Sequence, residues 1–238
     1  ELGRADEAES VYEPTAGTGS LLTVADPDGI TANEIDPDRL GVLRQAGYKN
    51  VTDKDASQEL PVEEKSQDLV IMNPPFGKMD SPKDEQGFKI HNLDQWIAVK
   101  NLKAMKDSGR AVLIVGANAR KDNEFSAADR VFLNYLHNNY NVADHFEIGG
   151  KLYSRYGASY PIRMITIAGR RKKKEYAPHP SEIERVENHN DLYERFKKAH
   201  GLSERIHTDS GRAVPSGTSS VDEESSSEGV GVPGSAKG

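Results

Sequence analysis

The chain has 238 residues, with 31 Lys and Arg against 38 Asp and Glu, a net charge of −7, 35% apolar and 7% aromatic side chains. That length allows one or two domains, and the low apolar share predicts that part of the chain does not fold. Cysteine is absent, which excludes disulfides, Cys-ligated zinc or iron–sulfur centres and every Cys nucleophile, including the thiolate used in cytosine-C5 methylation. No apolar run approaches the ~20 residues that cross a bilayer. With Glu1 first and no signal-peptide pattern, an intracellular, cytoplasmic protein or a module excised from a longer one is expected.

The charge is polarised. Residues 1–77 hold 6 basic and 16 acidic side chains, residues 78–174 hold 18 and 10, and residues 175–238 hold 7 and 12. A basic central part can attract phosphates although the chain is acidic overall, and solvated Lys faces on helices explain the same counts equally well.

In chain order, a short strand over 11–13 leads into a glycine turn, and a helix begins at Ser20. A second strand covers 30–34, a helix 38–45, a third strand 50–52 and an apolar fourth strand 68–72, which stops at Asn73-Pro74-Pro75. Residues 77–92 read as a long loop, a candidate lid with Gly77 and Gly87. A helix over 94–106 turns Leu93, Trp96, Ile97, Leu102 and Met105 to one side, which makes Trp96 a core residue. A buried strand spans 111–115. The helix over 127–137 carries Ala128, Val131, Phe132, Tyr135 and Leu136 at helical spacing. Two late strands cover 142–148 and 162–167, and Ser181-Glu182-Ile183-Glu184 reads as a capping box opening a helix to about Ala199. From about Gly201 to Gly238 the chain is Ser, Gly, Pro and acid, a composition that predicts a disordered linker or tail. Strands alternating with helices predict an α/β fold with a mostly parallel sheet, helices on both faces, and an antiparallel pair at the sheet edge.

Two motifs carry chemistry. In Val11-Tyr12-Glu13-Pro14-Thr15-Ala16-Gly17-Thr18-Gly19-Ser20, glycines between strand and helix let the backbone approach a ligand. Leu22 stands where a dinucleotide site wants a third glycine, and the Lys of a P-loop is missing, so pyrophosphate is a weak reading. A nucleoside without phosphate remains, with Glu34, at the end of the second strand, able to accept two ribose hydroxyls. A generic tight turn with solvated acids is the alternative. In the second motif, Asn73-Pro74-Pro75-Phe76, two prolines end the strand because neither has an N–H. A delocalised amine on a flat base is a poor nucleophile. The Asn73 side-chain oxygen and the Pro74 carbonyl can each hold one of its N–H groups and concentrate its lone pair, with Phe76 stacking on the ring. No covalent intermediate is needed; positioning and electrostatics supply the acceleration. A rigid turn is the alternative. The seven His residues show no metal spacing.

These motifs resemble those of class I S-adenosylmethionine-dependent amino-methyltransferases, and among them the gamma-order N6-adenine DNA methyltransferases, over about residues 11–169. The resemblance implies a Rossmann-like fold with a mostly parallel seven-stranded sheet and an antiparallel edge hairpin, S-adenosyl-L-methionine as cofactor, DNA as partner, and a flipped adenine as substrate. It makes Glu13, Pro14, Thr15, Ala16, Gly17 and Gly19 the cofactor loop, Glu34 the ribose carboxylate, Ile35 its apolar neighbour and Asp55 the contact to the cofactor's adenine, with Asp53 competing. Asn73, Pro74, Pro75 and Phe76 match the catalytic tetrad. Tyr153 falls where a second aromatic stacks on the base, with Tyr156 and Tyr160 close by.

There are departures. At most ten residues stand where the family has a helix before the first strand, and no separate target-recognition domain follows. The expected organisation is a catalytic domain over 1–178, a helix over 179–200 and a tail over 201–238. That is similar to the methylase part of phage or plasmid polypeptides in which a linker joins it to a covalently linked, helicase-like domain. Candidate phosphate contacts are Lys78, Lys83, Lys89, Arg120, Lys121, Arg155, Arg163 and the cluster Arg170 to Lys174, the last also readable as a solvated strand exit. The rival readings are methylation of an RNA base amine or a protein glutamine, and a non-catalytic DNA-binding module of a larger protein.

Overall fold

Two strands that must be buried on both faces organise the molecule. Alternate side chains of Val11–Glu13 and Gln67–Met72 enter separate cores. Val11, Leu69 and Ile71 pack with Leu22, Ile30 and Leu43 on one side, and Tyr12, Val70 and Met72 pack with Ala98, Phe132 and Leu136 on the other. Such continuous burial is what a parallel sheet covered on both faces requires.

The computed structural model describes residues 5–117, 125–153, 160–173, 178–181 and 183–199. In chain order these form β1 (Val11–Glu13), β2 (Ile30–Asn33), α1 (Pro37–Gln45), β3 (Asn50–Thr52), β4 (Gln67–Met72), β5 (Lys78–Glu85), β6 (Phe88–Asn92), α2 (Leu93–Asn101), β7 (Met105–Gly116), α3 (Ala127–Asn139), β8 (Tyr140–Ile148), α4 (Gly150–Tyr153), β9 (Ile162–Arg170), β10 (Glu184–Val186) and α5 (His189–Ala199). The main sheet runs β10-β8-β9-β7-β4-β1-β2-β3. Strands β3, β2, β1, β4 and β7 are mutually parallel, and β9 is antiparallel to both β7 and β8.

Local chemistry explains the element ends. Asp36 caps α1, its Oδ1 accepting from the Asp38 and Arg39 amides, with Pro37 at the first helical position. Ser126 caps α3 through the Asp129 amide. Gln86 and Gly87 both have positive φ, 56° and 88°, the backbone of a two-residue hairpin turn between β5 and β6.

Six expectations are corrected. The main sheet has eight strands, not seven, because Glu184–Val186 adds at the edge parallel to β8. The antiparallel pair β8 and β9 exists, but β9 is inserted next to β7 and β10 takes the edge. No helix starts among the described residues of 181–188. Val186 is 1% exposed against Phe146 and Ile148, and α5 begins after Asn188, whose Oδ1 accepts from the Asp191 amide; Glu182 of the expected capping box lies outside the described residues. The expected helix from Ser20 is a chain of turns, with Gly19, Leu22 and Ala25 amides bonded to Ala16, Gly19 and Leu22 carbonyls. Too few residues precede Asp26-Pro27 for a stable helix. The helix expected over 94–106 ends at Asn101, passes through one 3-10 turn, and Met105 already pairs with Gln67 in the sheet. Of residues 77–92, expected as a loop, 78–92 form the β5–β6 hairpin. The expected tail over 201–238 lies outside the described residues.

Candidate active site

The strand order reverses at β1: the chain runs out to β2 and β3 on one side and returns to β4 on the other. Open α/β sheets bind ligands beyond the carboxyl ends of their strands at such a point. A cavity of about 610 Å³ lies there. Glu13, Pro14, Thr15, Ala16 and Gly17 line it from the end of β1, Glu34 and Ile35 from the end of β2, Asp55 from the loop after β3, and Asn73 and Pro75 from the end of β4.

Glu34, 4% exposed, braces this cavity. Its Oε2 accepts from the Gly17 amide at 2.8 Å, and its Oε1 accepts from the Asp36 amide at 2.8 Å and Arg39 Nη2 at 3.0 Å. Gly17 has φ +58° and open space where a Cβ would be. Gly19 serves differently. At φ +84° a Cβ would stand 3.1 Å from Leu43 Cδ2 and from the Tyr48 ring, so this glycine lets the turn close onto α1. Of the two competing acids, Asp55 lines the cavity, whereas Asp53 is exposed and lies 3.8 Å from Lys54 Nζ.

Sequence reasoning missed Asn33. It is 1% exposed and uses all four of its amide hydrogen-bonding positions. Nδ2 donates to the carbonyls of Pro14 (2.9 Å) and Lys54 (2.8 Å), and Oδ1 accepts from Thr52 Oγ1 (2.7 Å) and the Lys54 amide (2.9 Å). One side chain thus ties the loops after β1 and β3 to the end of β2. A buried amide directly before Glu34 was the available signal. On the far wall, Trp96 Nε1 and Asn101 Nδ2 donate to the Ser57 and Ala56 carbonyls, so α2 holds the loop after β3.

The electrostatics favour a cationic ligand. Glu13 is 2% exposed, and burial, with the nearby Glu34 charge adding to it, pushes its carboxyl well above the usual range. Its Oε2 and the Thr15 Oγ1 are buried with no hydrogen-bond partner among the described residues. A ligand that brings an ammonium or sulfonium charge and N–H or O–H donors satisfies both.

A second cavity of about 290 Å³ adjoins the first, lined by Phe76, Gly77, Lys78, Asn92, Asp94, Gly116, Ala117 and Tyr160. Two pairs of consecutive residues divide between the cavities: Pro75 faces the larger and Phe76 the smaller, and Leu93 faces the larger and Asp94 the smaller. Pro74 between Asn73 and Pro75 is buried, and the Leu93 amide donates to the Gly77 carbonyl at 2.8 Å. The corner Asn73–Phe76 is therefore a wall shared by both spaces.

The expected phosphate contacts divide. Lys78, Lys83 and Lys89 are exposed on the β5–β6 hairpin, and Lys172 and Lys173 are exposed after β9. Arg163 is a correction. It is 1% exposed, with Nη1 3.0 Å from Asp129 Oδ1, Nη2 3.9 Å from Glu147 Oε2, and its guanidinium 5.1 Å from the Phe125 ring centre; it cannot reach a phosphate. Arg170 is a second. It donates to the Met105, Leu102 and Lys103 carbonyls, closing the turn before β7. Arg120, Lys121, Arg155, Tyr156 and Lys174 lie outside the described residues. Tyr153 ends α4, and its side chain also lies outside what is described.

No protein-family model matches the chain, and a search of curated proteins finds no match. Solved structures do match. A protein described as a class I S-adenosylmethionine-dependent methyltransferase from Listeria monocytogenes superposes with a TM-score of 0.54 at 15% identity, over 82% of this chain and 62% of that one. The modification subunit of a type I restriction enzyme from Vibrio vulnificus gives a TM-score of 0.54 at 14% identity, over 87% and 49%. A component of a type I restriction–modification system gives a TM-score of 0.54 at 14% identity, over 84% and 47%. The chain thus spans about half to three fifths of the length of these structures. Its fold is the Rossmann-like fold of class I methyltransferases.

Proposed function

We propose that this chain transfers a methyl group from S-adenosyl-L-methionine to the exocyclic N6 amine of adenine in DNA. The observation that carries the reading is the position of Asn73–Phe76 as the common wall of two cavities. One suits a charged nucleoside and the other a flat ring.

In the larger cavity, Glu34 and Asp55 would hold the nucleoside part of the cofactor, and Glu13 its ammonium end, where its buried Oε2 has no hydrogen-bond partner among the described residues. S-adenosylmethionine bound there supplies an electrophilic methyl on a positively charged sulfur. Across the wall, the Asn73 side-chain oxygen and the Pro74 carbonyl would each take one N–H of the target amine. That draws the nitrogen toward tetrahedral geometry and frees its lone pair to form the new N–C bond. The C–S electron pair stays with sulfur, and the surplus proton leaves the nitrogen for water. Phe76 and Tyr160 line the smaller cavity and would stack on the base. A base inside a duplex must be flipped out to reach it, at a few kcal/mol of unstacking.

Nucleic acid is favoured over a protein amide by Lys78, which lines the smaller cavity, and by exposed Lys83 and Lys89 on the same β5–β6 hairpin. DNA is favoured by the sequence resemblance and by restriction–modification modification subunits among the similar folds. Where such subunits act within larger assemblies, this chain would act inside a longer polypeptide. The test is incubation with labelled methyl donor and separate pools of DNA, RNA and protein, followed by nucleoside analysis. Label in N6-methyladenine from DNA is expected, and label confined to RNA or to glutamine overturns the assignment.

A further inference from the structure

Stacking explains Phe76 and Tyr160 in the smaller cavity, but it does not explain the buried acid at its floor. Asp94 is 3% exposed. Its Oδ2 accepts from the Gly116 amide at 2.9 Å. A Cβ on Gly116 would lie 3.6 Å from that oxygen and 3.7 Å from Phe76 Cγ, in van der Waals contact with both, so the carboxyl group and the phenyl ring face one space. At about 290 Å³ the cavity is at the small end of ligand sites and suits a flat ring. A polar group beside such a ring sets which edge the ring can present.

We propose that Asp94 is the specificity residue of this cavity: in its neutral form its carboxyl group donates a hydrogen bond to a ring nitrogen of the target base while Asn73 and Pro74 hold the amine. The inference rests on the function proposed above and deepens it. Adenine offers only acceptor nitrogens around its ring beside the amino group, so it needs a donor. A carboxylate would repel those lone pairs and would instead accept the ring N–H of guanine.

Burial raises the Asp94 carboxyl to about 6, the nearby Asp129 charge adds to the rise, and amide donation from Gly116 and the helix backbone opposes it. A base seated on the acid removes more water and pushes the same way. The charged groups around it are few among the described residues. Lys78 of β5 shares the cavity, and Asp129 of α3 lies behind it, paired with Arg163 of β9, which also faces Glu147 of β8.

The test uses the full chain, adenine-containing DNA, and kcat/KM measured between about pH 6 and about pH 8. Wild-type kcat/KM is expected to fall up to about tenfold per pH unit above the acid's pKa. Asp94→Asn, whose amide donates at every pH, is expected to keep adenine methylation with a flat profile. Asp94→Ala is expected to lose about 10- to 100-fold while its calorimetric affinity for S-adenosylmethionine stays at the wild-type value, which also shows that it is folded. A wild-type rate that climbs with pH, an inactive Asp94→Asn, or an unchanged Asp94→Ala overturns the inference. Absence of adenine methylation by the wild-type chain at every pH overturns the function itself, and the inference with it. The wild-type profile needs no variant, so a misfolded substitution does not remove the test.

Discussion

Arg163→Met is the perturbation that most directly separates the structure from the sequence. The residue type, in a basic stretch, suggests a DNA contact; the structure puts it in the interior. Removing the guanidinium leaves Asp129 fully buried, with Gln95 Nε2 donating to it at 2.8 Å. Glu147 keeps Arg185 at 3.5 Å, but that arginine is half exposed. At 3.0 Å the Arg163–Asp129 attraction is worth about 5 kcal/mol in gross terms at an effective dielectric of 20. Breaking one partner out of a buried pair costs about 3–5 kcal/mol, a large part of the ~5–15 kcal/mol that holds a domain together. Urea unfolding of Arg163→Met should therefore show a loss of about 3–5 kcal/mol, and adding Asp129→Asn should restore part of it, a coupling read by a double-mutant cycle. Arg163→Met unfolding within about 1 kcal/mol of wild type, together with a DNA salt dependence weakened by about one phosphate contact, would refute the burial argument.

Asn73→Ala should abolish methyl transfer while calorimetry finds S-adenosylmethionine binding within about threefold of wild type; loss of both together contradicts the division between the cavities. Glu34→Ala should weaken cofactor binding about 10- to 100-fold, because three donors hold that carboxylate in place, the proposed ribose contact would be lost, and hydrogen bonds to charged groups are worth ~1.5–3 kcal/mol; unchanged affinity removes Glu34 from the site. For pH and stability, Asp94 is an acid whose folded pKa of about 6 lies above its unfolded value of 3.8. The folded state therefore binds the extra proton, and stability is lost as pH rises from about 4 to about 6, by an order of 3 kcal/mol for this group. Asp94→Asn should flatten the unfolding free energy across that window, and an unaltered slope would show that the acid is not buried in solution.

Strands β1, β2, β3 and β4 were legible because each is a short β-rich or apolar run stopped by turn chemistry, and the two motifs lie at the ends of β1 and β4. The β5–β6 hairpin was not. Lys78–Glu85 carries almost no apolar alternation and contains Pro82, and it is held by what surrounds it, with Phe88 and Ile90 packing into the core beneath α3. Three-residue β10 was hidden because Glu184-Arg185-Val186 follows a strong capping pattern, and only the packing of Val186 against β8 decides it. Burial of a cation is likewise a tertiary fact: nothing around Arg163 in sequence announces that Asp129 and Glu147, 34 and 16 residues away, will close on it. Asp94 was invisible for the same reason, since an acid in the first turn of a helix is ordinarily a solvated one.

The thin partition between the two cavities also constrains the order of events. On the proposed function, donor and acceptor would occupy different compartments and meet through a corner of four residues, so neither would have to leave before the other arrives. Steady-state kinetics should accordingly show intersecting rather than parallel double-reciprocal lines, with the demethylated product competing against the donor alone and leaving nucleic-acid binding untouched.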